Sequence, residues 1–224
     1  MSSKLIACYS IFNAEKYLRQ SVLSVIDKVD KILLLDGRYE GFECPCKREH
    51  AVSCDDTETI IADLINETGR HNSKIRYTAL MQTLPELAKR TLLLDLAGPN
   101  NIALIIDDDE LLVGDTSDIH SRFAENQDWQ VGYVRNYPSG DPWLRLIRSK
   151  PGEIQYHACG RLSYDIRWLN GDVYTVKASD PKNTNYDYRF VATGCGLRHL
   201  GDRSESRHVA RIAYNNKMNR EGLK

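Results

Sequence analysis

The stretch IALIIDDDELL, residues 102–112, joins an apolar run to a dense cluster of acids. Five apolar residues lead into Asp107, Asp108, Asp109 and Glu110, and two leucines follow them. Four adjacent carboxylates repel one another, and apolar surroundings make their ionisation still more costly. Their position after what reads as a buried strand therefore requires a physical reason.

Three interpretations of this acid cluster are open. The run is a solvated turn, a carboxylate pair for general acid–base catalysis, or an oxygen-rich site for a hard cation. The apolar residues on both sides argue against the solvated turn. Mg²⁺ and Mn²⁺ favour oxygen ligands and often use one or two carboxylates together with a substrate phosphate. A divalent cation would also relieve the repulsion among the acids.

Apolar periodicity predicts alternating strands and helices in the first half of the chain. The predicted helices carry apolar residues on one face, and the predicted strands are short apolar runs. Asn13 is the predicted N-cap of the first helix. This alternation favours a mostly parallel α/β sheet with helices on both faces. The strands are predicted at residues 4–10, 31–37, 74–80 and 101–107, and the helices at residues 13–29, 55–69 and 84–98.

In such sheets, ligands bind beyond the carboxyl ends of the strands. Residues 10–13, Asp36 and the acid cluster all follow predicted strands. If the acids continued the strand, Asp107 and Asp109 would point to one side and Asp108 to the other. We therefore predict an Asp-x-Asp pair that faces a cation, with Glu110 as a supporting partner.

The second half of the chain has a different pattern. Short segments rich in aromatic and β-branched residues, separated by Pro, Gly and Ser, predict a smaller antiparallel β region. Residues 204–222 predict a basic C-terminal helix. We expect a single domain over residues 1–224, with residues 1–112 and 113–224 as its two halves.

Composition excludes several classes of protein. The formal net charge of −1 gives no overall reason to expect binding to nucleic acid or to a membrane surface. No apolar run approaches the roughly 20 residues of a membrane helix, and the first ten residues lack the apolar core of a signal peptide. We therefore expect a cytoplasmic protein that has no membrane span and keeps its thiols reduced.

A second cluster contains the residue types that bind zinc. Its spacing is Cys-x-Cys-x3-His-x3-Cys, which provides three thiolates and one imidazole for a structural Zn²⁺ ion. The alternative is a loop of reduced thiols without a metal. The candidate zinc ligands are Cys44, Cys46, His50 and Cys54.

Taken together, the motifs resemble the family 2-type glycosyltransferases of the GT-A fold, which use nucleotide-diphosphate sugars. The resemblance rests on NAEKYLRQSVLSV (13–25), KILLLDG (31–37), DDTETII (55–61) and LIIDDDELL (104–112), the last of which is similar to the DxD motif of that family. PWLRLIRSKPGEIQY (142–156) and GLRHLGDRSESR (196–207) resemble its later strand and its terminal His-x-Gly segment. The resemblance covers most of the chain.

The resemblance implies a GT-A-like, Rossmann-like fold and a role for each matching residue. Residues 1–112 would bind the nucleotide-sugar, and residues 113–224 would form the acceptor side. Asp109 and His199 would bind Mn²⁺ or Mg²⁺. The residues expected to contact the nucleotide-sugar are Ser10, Phe12, Asn13, Asp36, Lys89, Arg90, Asp107, Asp108, Arg203 and Arg207.

The catalytic base is the least defined element. An inverting transfer needs a base that deprotonates the acceptor hydroxyl. The family often supplies an Asp or Glu, sometimes in a His-Glu pair, whereas this sequence has Ser163 and Tyr164 at that place. Asp165 is the preferred candidate, and His157 and Glu153 are the others.

The sequence thus predicts a metal-dependent glycosyltransferase that moves a sugar from a UDP- or GDP-sugar to an unknown acceptor. One alternative is a nucleotidyltransferase of similar fold, although CYSIFNAEKYL (8–18) lacks the glycine-rich first loop of those enzymes. The other is a zinc-stapled binding module in which the zinc cluster and the basic C-terminus dock a partner or nucleic acid.

Overall fold

The computed structural model describes residues 3–42, 51–67, 74–125, 131–137, 142–148, 163–169, 173–179 and 185–200. The helices are α1 (Leu18–Val25), α2 (Thr57–Glu67), α3 (Glu86–Ala97) and α4 (Ser117–Glu125). The strands are β1 (Leu5–Ile11), β2 (Lys31–Asp36), β3 (Ile75–Ala79), β4 (Ile102–Ile106), β5 (Glu110–Gly114), β6 (Val131–Tyr137), β7 (Pro142–Arg148), β8 (Ser163–Leu169), β9 (Val173–Ser179) and β10 (Asn185–His199).

The strands are ordered β3-β2-β1-β4-β7-β6-β10-β9-β8. Strand β5 lies outside this linear order and pairs with β10. The strands β1, β2, β3 and β4 pair in parallel, and so do β6 and β10. The strands β8 and β9 form a small antiparallel sheet with the first part of β10. The predicted α/β class, a mostly parallel central sheet with a smaller antiparallel region, is confirmed.

Strand β1 is buried on both faces and separates two apolar layers. Its odd-numbered residues, such as Tyr9, belong to a core that includes Val22 of α1 and Ile61 of α2. Its even-numbered residues, such as Cys8, pack in a second core with Leu93 of α3. Each fully buried leucine or isoleucine contributes about 1.5–3 kcal/mol to stability. These layers hold the carboxyl ends of β1, β2 and β4 at one edge of the sheet.

The helix boundaries differ from the predictions at one functionally relevant place. Helix α1 begins at Leu18 with Tyr17 as its N-cap, so the predicted N-cap role of Asn13 is wrong. Asn13 has a positive φ of 51°, and its side-chain oxygen accepts a hydrogen bond from the Cys54 N–H at 2.9 Å. The residues between β1 and α1 therefore form a loop that hydrogen bonds tie to the segment before α2.

Four elements were not predicted, namely β5, α4, β8 and β10. The longest of them, β10, extends for 15 residues and belongs to both sheets. The strand predicted at residues 152–158 and the helix predicted at residues 204–222 lie outside the described residues. Where the chain is described, its helices are too short or too polar to cross a bilayer.

Replacing Gly114 by alanine should destabilise the fold much more than replacing Gly98. Both glycines have positive φ, of 82° and 81°, which costs an alanine about 1–2 kcal/mol. A Cβ on Gly114 would lie 2.4 Å from the Gly194 carbonyl oxygen, whereas a Cβ on Gly98 would meet only Asn101 at 3.6 Å. Urea unfolding of Gly114→Ala should show an additional loss of about 1–3 kcal/mol from overpacking. Equal losses in the two variants would contradict this packing of β5 against β10.

Candidate active site

The four acids form a buried turn between β4 and β5, which we call the acid turn (Asp107–Glu110). The Glu110 N–H donates to the Asp107 carbonyl oxygen at 3.1 Å. The predicted side-to-side alternation of Asp107, Asp108 and Asp109 is therefore wrong, because a turn lacks the two-residue period of a strand. The exposed fractions of Asp108, Asp109 and Glu110 are 2%, 1% and 0%, so the turn is not solvated.

Two arginines compensate the charge of the acid turn. Arg90 Nη2, from α3, lies 3.5 Å from Asp107 Oδ1. Arg145 Nη2, from β7, lies 2.6 Å from Glu110 Oε1 and 3.9 Å from Asp107 Oδ2. No local pattern in the sequence predicts the role of Arg145, because its partners are distant in sequence. Its place in the PWLRLIR segment gave no sign of a carboxylate opposite it.

Glu110 is the most deeply buried member of the acid turn. Its Oε2 accepts a hydrogen bond from the Asp107 N–H at 2.9 Å. Burial, and then the negative charge of Asp107, raise the pKa of Glu110, while the Arg145 guanidinium and the Asp107 N–H favour its charged carboxylate form. The Ser21 hydroxyl of α1 donates to the Glu110 carbonyl oxygen and so ties the turn to the helix.

His199 reaches the acid turn from the last position of β10. It pairs with Glu110 in the antiparallel register of β5 and β10, and the Leu200 N–H donates to the Asp109 carbonyl oxygen at 2.9 Å. Its Nδ1 lies 3.8 Å from Asp109 Oδ1, and its Nε2 lies 3.4 Å from Glu110 Oε1. The structure therefore brings together the two residues predicted to bind the metal.

The donor set at this point fits a divalent cation. Asp109 and His199 offer a carboxylate oxygen and an imidazole nitrogen, which both suit Mn²⁺. Within the described ranges, no three His, Cys, Asp or Glu side chains are already arranged to hold a metal ion. Mg²⁺ and Mn²⁺ sites of this kind commonly take few protein ligands and complete their shell with water and substrate phosphate oxygens.

The predicted nucleotide-binding residues at the end of β1 lie beside the segment that follows β2. Ser10 Oγ and the Tyr39 hydroxyl are 2.6 Å apart. The rings of Phe12 and Phe42 meet edge to face, with centroids 6.0 Å apart. Burial raises the pKa of Tyr39 to about 12, so its hydroxyl stays neutral at physiological pH. Ser10, Phe12, Tyr39 and Phe42 thus form one surface that combines aromatic rings with hydroxyl groups.

Asp36, at the end of β2, is held by donors on several sides. Ser53 donates to it from its N–H at 3.2 Å and from its hydroxyl at 2.7 Å, and the Tyr77 hydroxyl donates at 3.2 Å. Burial raises the pKa of Asp36, and the hydrogen bonds from Ser53 oppose this rise. Ser53, which no sequence pattern singles out, also accepts a hydrogen bond from the Asn13 N–H at 2.8 Å.

Lys89 joins the ends of β1 and β2 from inside the protein. Its side chain is fully buried, and its Nζ donates to the Ile11 carbonyl oxygen at 2.8 Å and to the Gly37 carbonyl oxygen at 2.5 Å. The same Nζ lies 4.9 Å from the centroid of the Tyr39 ring. In this position Lys89 holds the carboxyl ends of β1 and β2 together by hydrogen bonds from inside the protein.

The predicted zinc cluster requires a correction at Cys54. Cys54 is disulfide-bonded, so its sulfur is not available as a thiolate ligand, and the expectation of reduced thiols is wrong for this residue. Cys44, Cys46 and His50 lie outside the described residues, so their predicted zinc role stays a prediction. Cys8 and Cys195 are free and buried.

The structure does not bring the predicted base to the acid turn. Asp165 lies on β8 in register with Lys177, which pairs in turn with Asp187 on β10. Asp187 precedes His199 by twelve positions (199 − 187), and the register of β10 shifts between them, so Asp165 is linked through β9 to the part of β10 opposite to His199. Arg203, Arg207, His157 and Glu153 lie outside the described residues.

Solved structures provide a similarity of fold. GalNAc-T7, solved with UDP, GalNAc and Mn²⁺, matches with a TM-score of 0.51 and 11% identity, over 91% of this chain and 45% of that chain. TarS 1-349 of S. aureus, solved with UDP, matches with a TM-score of 0.43 and 17% identity, over 60% of this chain and 36% of that chain. No family model and no curated protein matches the sequence.

The chain has a GT-A-type fold. It spans less than half the length of the GalNAc-T7 chain that it matches. At 11% identity, the likeness shows the arrangement of helices and strands alone.

The buried Lys89 should make stability depend on pH above neutrality. Burial lowers the pKa of Lys89 from 10.5 to about 7. The unfolded chain therefore binds more protons than the folded chain between these pH values, and the Lys89 contribution to the free energy of unfolding increases as the pH rises. Urea unfolding of wild type and Lys89→Met from pH 7 to pH 9 should show the difference growing in favour of wild type, by about 1 kcal/mol per pH unit. A difference that does not change with pH would contradict the assignment.

The disulfide at Cys54 should be detectable in the purified protein. Peptide mapping after alkylation without reduction should find Cys54 in a cross-linked peptide, whereas Cys8 and Cys195 become alkylated only after denaturation. Alkylated Cys54 together with one equivalent of zinc in elemental analysis would instead support the zinc cluster.

Proposed function

We propose that this protein is a metal-dependent glycosyltransferase that uses a nucleotide-diphosphate sugar, with UDP-sugars as the first donors to test. The observation that supports this most directly is the acid turn at the carboxyl end of β4, where Asp109 lies beside His199. Ligands of parallel α/β sheets bind at this edge. The GalNAc-T7 structure of similar fold holds UDP and Mn²⁺, and the sequence motifs resemble family 2 of the GT-A enzymes.

Asp109 and His199 would hold the divalent cation. When bound, Mn²⁺ or Mg²⁺ neutralises the negative charge that develops on the diphosphate leaving group. The protein contributes the position of these two side chains, which the pairing of β5 with β10 fixes. Asp107 is paired with Arg90 and Arg145, and it would face the ribose or a metal-bound water from that fixed place.

The surface formed by Ser10, Phe12, Tyr39 and Phe42 at the ends of β1 and β2 would bind the nucleotide. Phe12 would contribute its aromatic ring, and Ser10 and Asn13 would contribute polar side chains, at the same edge of the sheet. Asp36 and Asp108 would act as buried hydrogen-bond acceptors for the nucleotide. Lys89 and Arg90 would support this surface from α3, and Arg203 and Arg207 would add phosphate contacts from the C-terminal segment.

The acceptor side and the base belong to the second half, residues 113–224. Transfer with inversion requires that a carboxylate or imidazole removes the proton of the acceptor hydroxyl while the sugar carbon passes through an oxocarbenium-like state. Asp165 remains the candidate from the sequence. Its position on β8 would require an acceptor long enough to reach both this strand and the acid turn, or a different base.

Asp109→Asn should abolish sugar transfer without unfolding the protein. The substitution keeps the size of the side chain and removes the charge that holds the cation. Wild type should be stabilised in a thermal-shift assay by a UDP-sugar only when Mn²⁺ is present, because a ligand that binds the native state raises apparent stability. Asp109→Asn should lose this stabilisation, and turnover should fall by at least about 100-fold.

The matched control is Asp63→Asn, which changes an exposed aspartate on α2 in the same way. It should keep both the Mn²⁺-dependent stabilisation and the activity. Full transfer activity of wild type with excess chelator would exclude the metal-dependent mechanism. Full activity of Asp109→Asn would exclude this residue as the cation ligand.

A further inference from the structure

We propose that Glu110 is a positioning residue that orients the His199 ring toward the cation site. The inference rests on the proposed function, because it concerns how the protein prepares the same site for its metal ion. Glu110 itself does not need to contact the ion. Its effect is transmitted through the imidazole.

The two ring nitrogens of His199 face two different carboxylates. Nε2 lies 3.4 Å from Glu110 Oε1, and Nδ1 lies 3.8 Å from Asp109 Oδ1. An imidazole whose Nε2–H is directed at a carboxylate keeps the lone pair of Nδ1 for a metal ion. With the proton on Nε2, the Nδ1 lone pair of His199 would lie beside the Asp109 carboxylate.

Glu110 is the fixed partner in this contact. Its side chain is fully buried, and it accepts hydrogen bonds from Arg145 Nη2 at 2.6 Å and from the Asp107 N–H at 2.9 Å, while His199 Nε2 lies 3.4 Å from its Oε1. His199 is the more adjustable partner, since its side chain is 38% exposed and it is the last residue of β10. A rigid carboxylate beside a ring at a strand end restricts the orientations that the ring can adopt.

This arrangement corresponds to the carboxylate–histidine–metal relay known from metal sites in general. The carboxylate beside a metal-binding histidine fixes its tautomer and ring orientation, and its loss typically weakens metal affinity by about 10- to 100-fold. We therefore expect a loss of that size in Glu110→Gln, because the amide removes one acceptor from a carboxylate surrounded by donors.

The experiment is a double-mutant cycle on Mn²⁺ affinity. Free Mn²⁺ is measured by electron paramagnetic resonance during titrations in the presence of UDP, for wild type, Glu110→Gln, His199→Ala and the double variant. Glu110→Gln should weaken Mn²⁺ binding by about 10- to 100-fold in the wild-type background. In the His199→Ala background it should have less than about a twofold effect, because Glu110 acts through the ring.

The outcomes separate the inference from the proposed function. If wild type binds no Mn²⁺ with UDP, the metal-dependent function fails and the inference fails with it. If wild type binds Mn²⁺ but the two losses are additive, or Glu110→Gln has no effect, only the positioning role of Glu110 is overturned.

Two further variants keep the test decisive. Glu67→Gln changes a glutamate in an exposed ion pair with Arg19, and it should leave Mn²⁺ affinity unchanged. If Glu110→Gln does not fold, Glu110→Asp takes its place in the cycle. It keeps the charge but withdraws the oxygens from the ring, so the same weakening and the same dependence on His199 are expected, and additivity would again overturn the proposal.

Discussion

The constraint on which this site depends is the compensation of buried negative charge. Three of the four side chains in the acid turn are almost completely excluded from solvent, and an uncompensated buried charge costs several kcal/mol. Arg90 and Arg145 meet this requirement for Asp107 and Glu110. Asp109 lies beside His199, with Oδ1 3.8 Å from the ring Nδ1. The two arginines therefore stabilise Asp107 and Glu110, and the His199 ring meets the turn at Asp109 and Glu110.

The sheet delivers these groups from distant parts of the sequence. The parallel strands β1, β2 and β4 end at one edge, where Asp36 and the acid turn lie. The long strand β10 returns antiparallel to β5 and places His199 opposite Glu110. Helix α3 reaches the same edge from the other layer through Lys89 and Arg90. Charged groups from both layers of the protein therefore meet at this edge of the sheet.

Much of the first half of the fold could be predicted from the sequence. The apolar runs of β1 to β4 and the one-sided helices α1 to α3 are local patterns, and the observed bounds agree with them within a few residues, apart from the later start of α1. Strand β5 was missed because it begins inside the acid turn at Glu110 and pairs with β10, far along the chain. The proximity of the acids to His199 was expected from the resemblance, whereas the contacts of Arg145 and Ser53 depend on tertiary packing that no local spacing encodes.

The central claim is that the acid turn seats the cation that holds a nucleoside diphosphate. Crystals grown with UDP and Mn²⁺ and measured at the manganese absorption edge would test it directly through the anomalous difference map. The account predicts one strong peak within about 2.0–2.3 Å of both an Asp109 carboxylate oxygen and His199 Nδ1, next to diphosphate density. A peak elsewhere, or UDP bound at this edge without any metal peak, would contradict it.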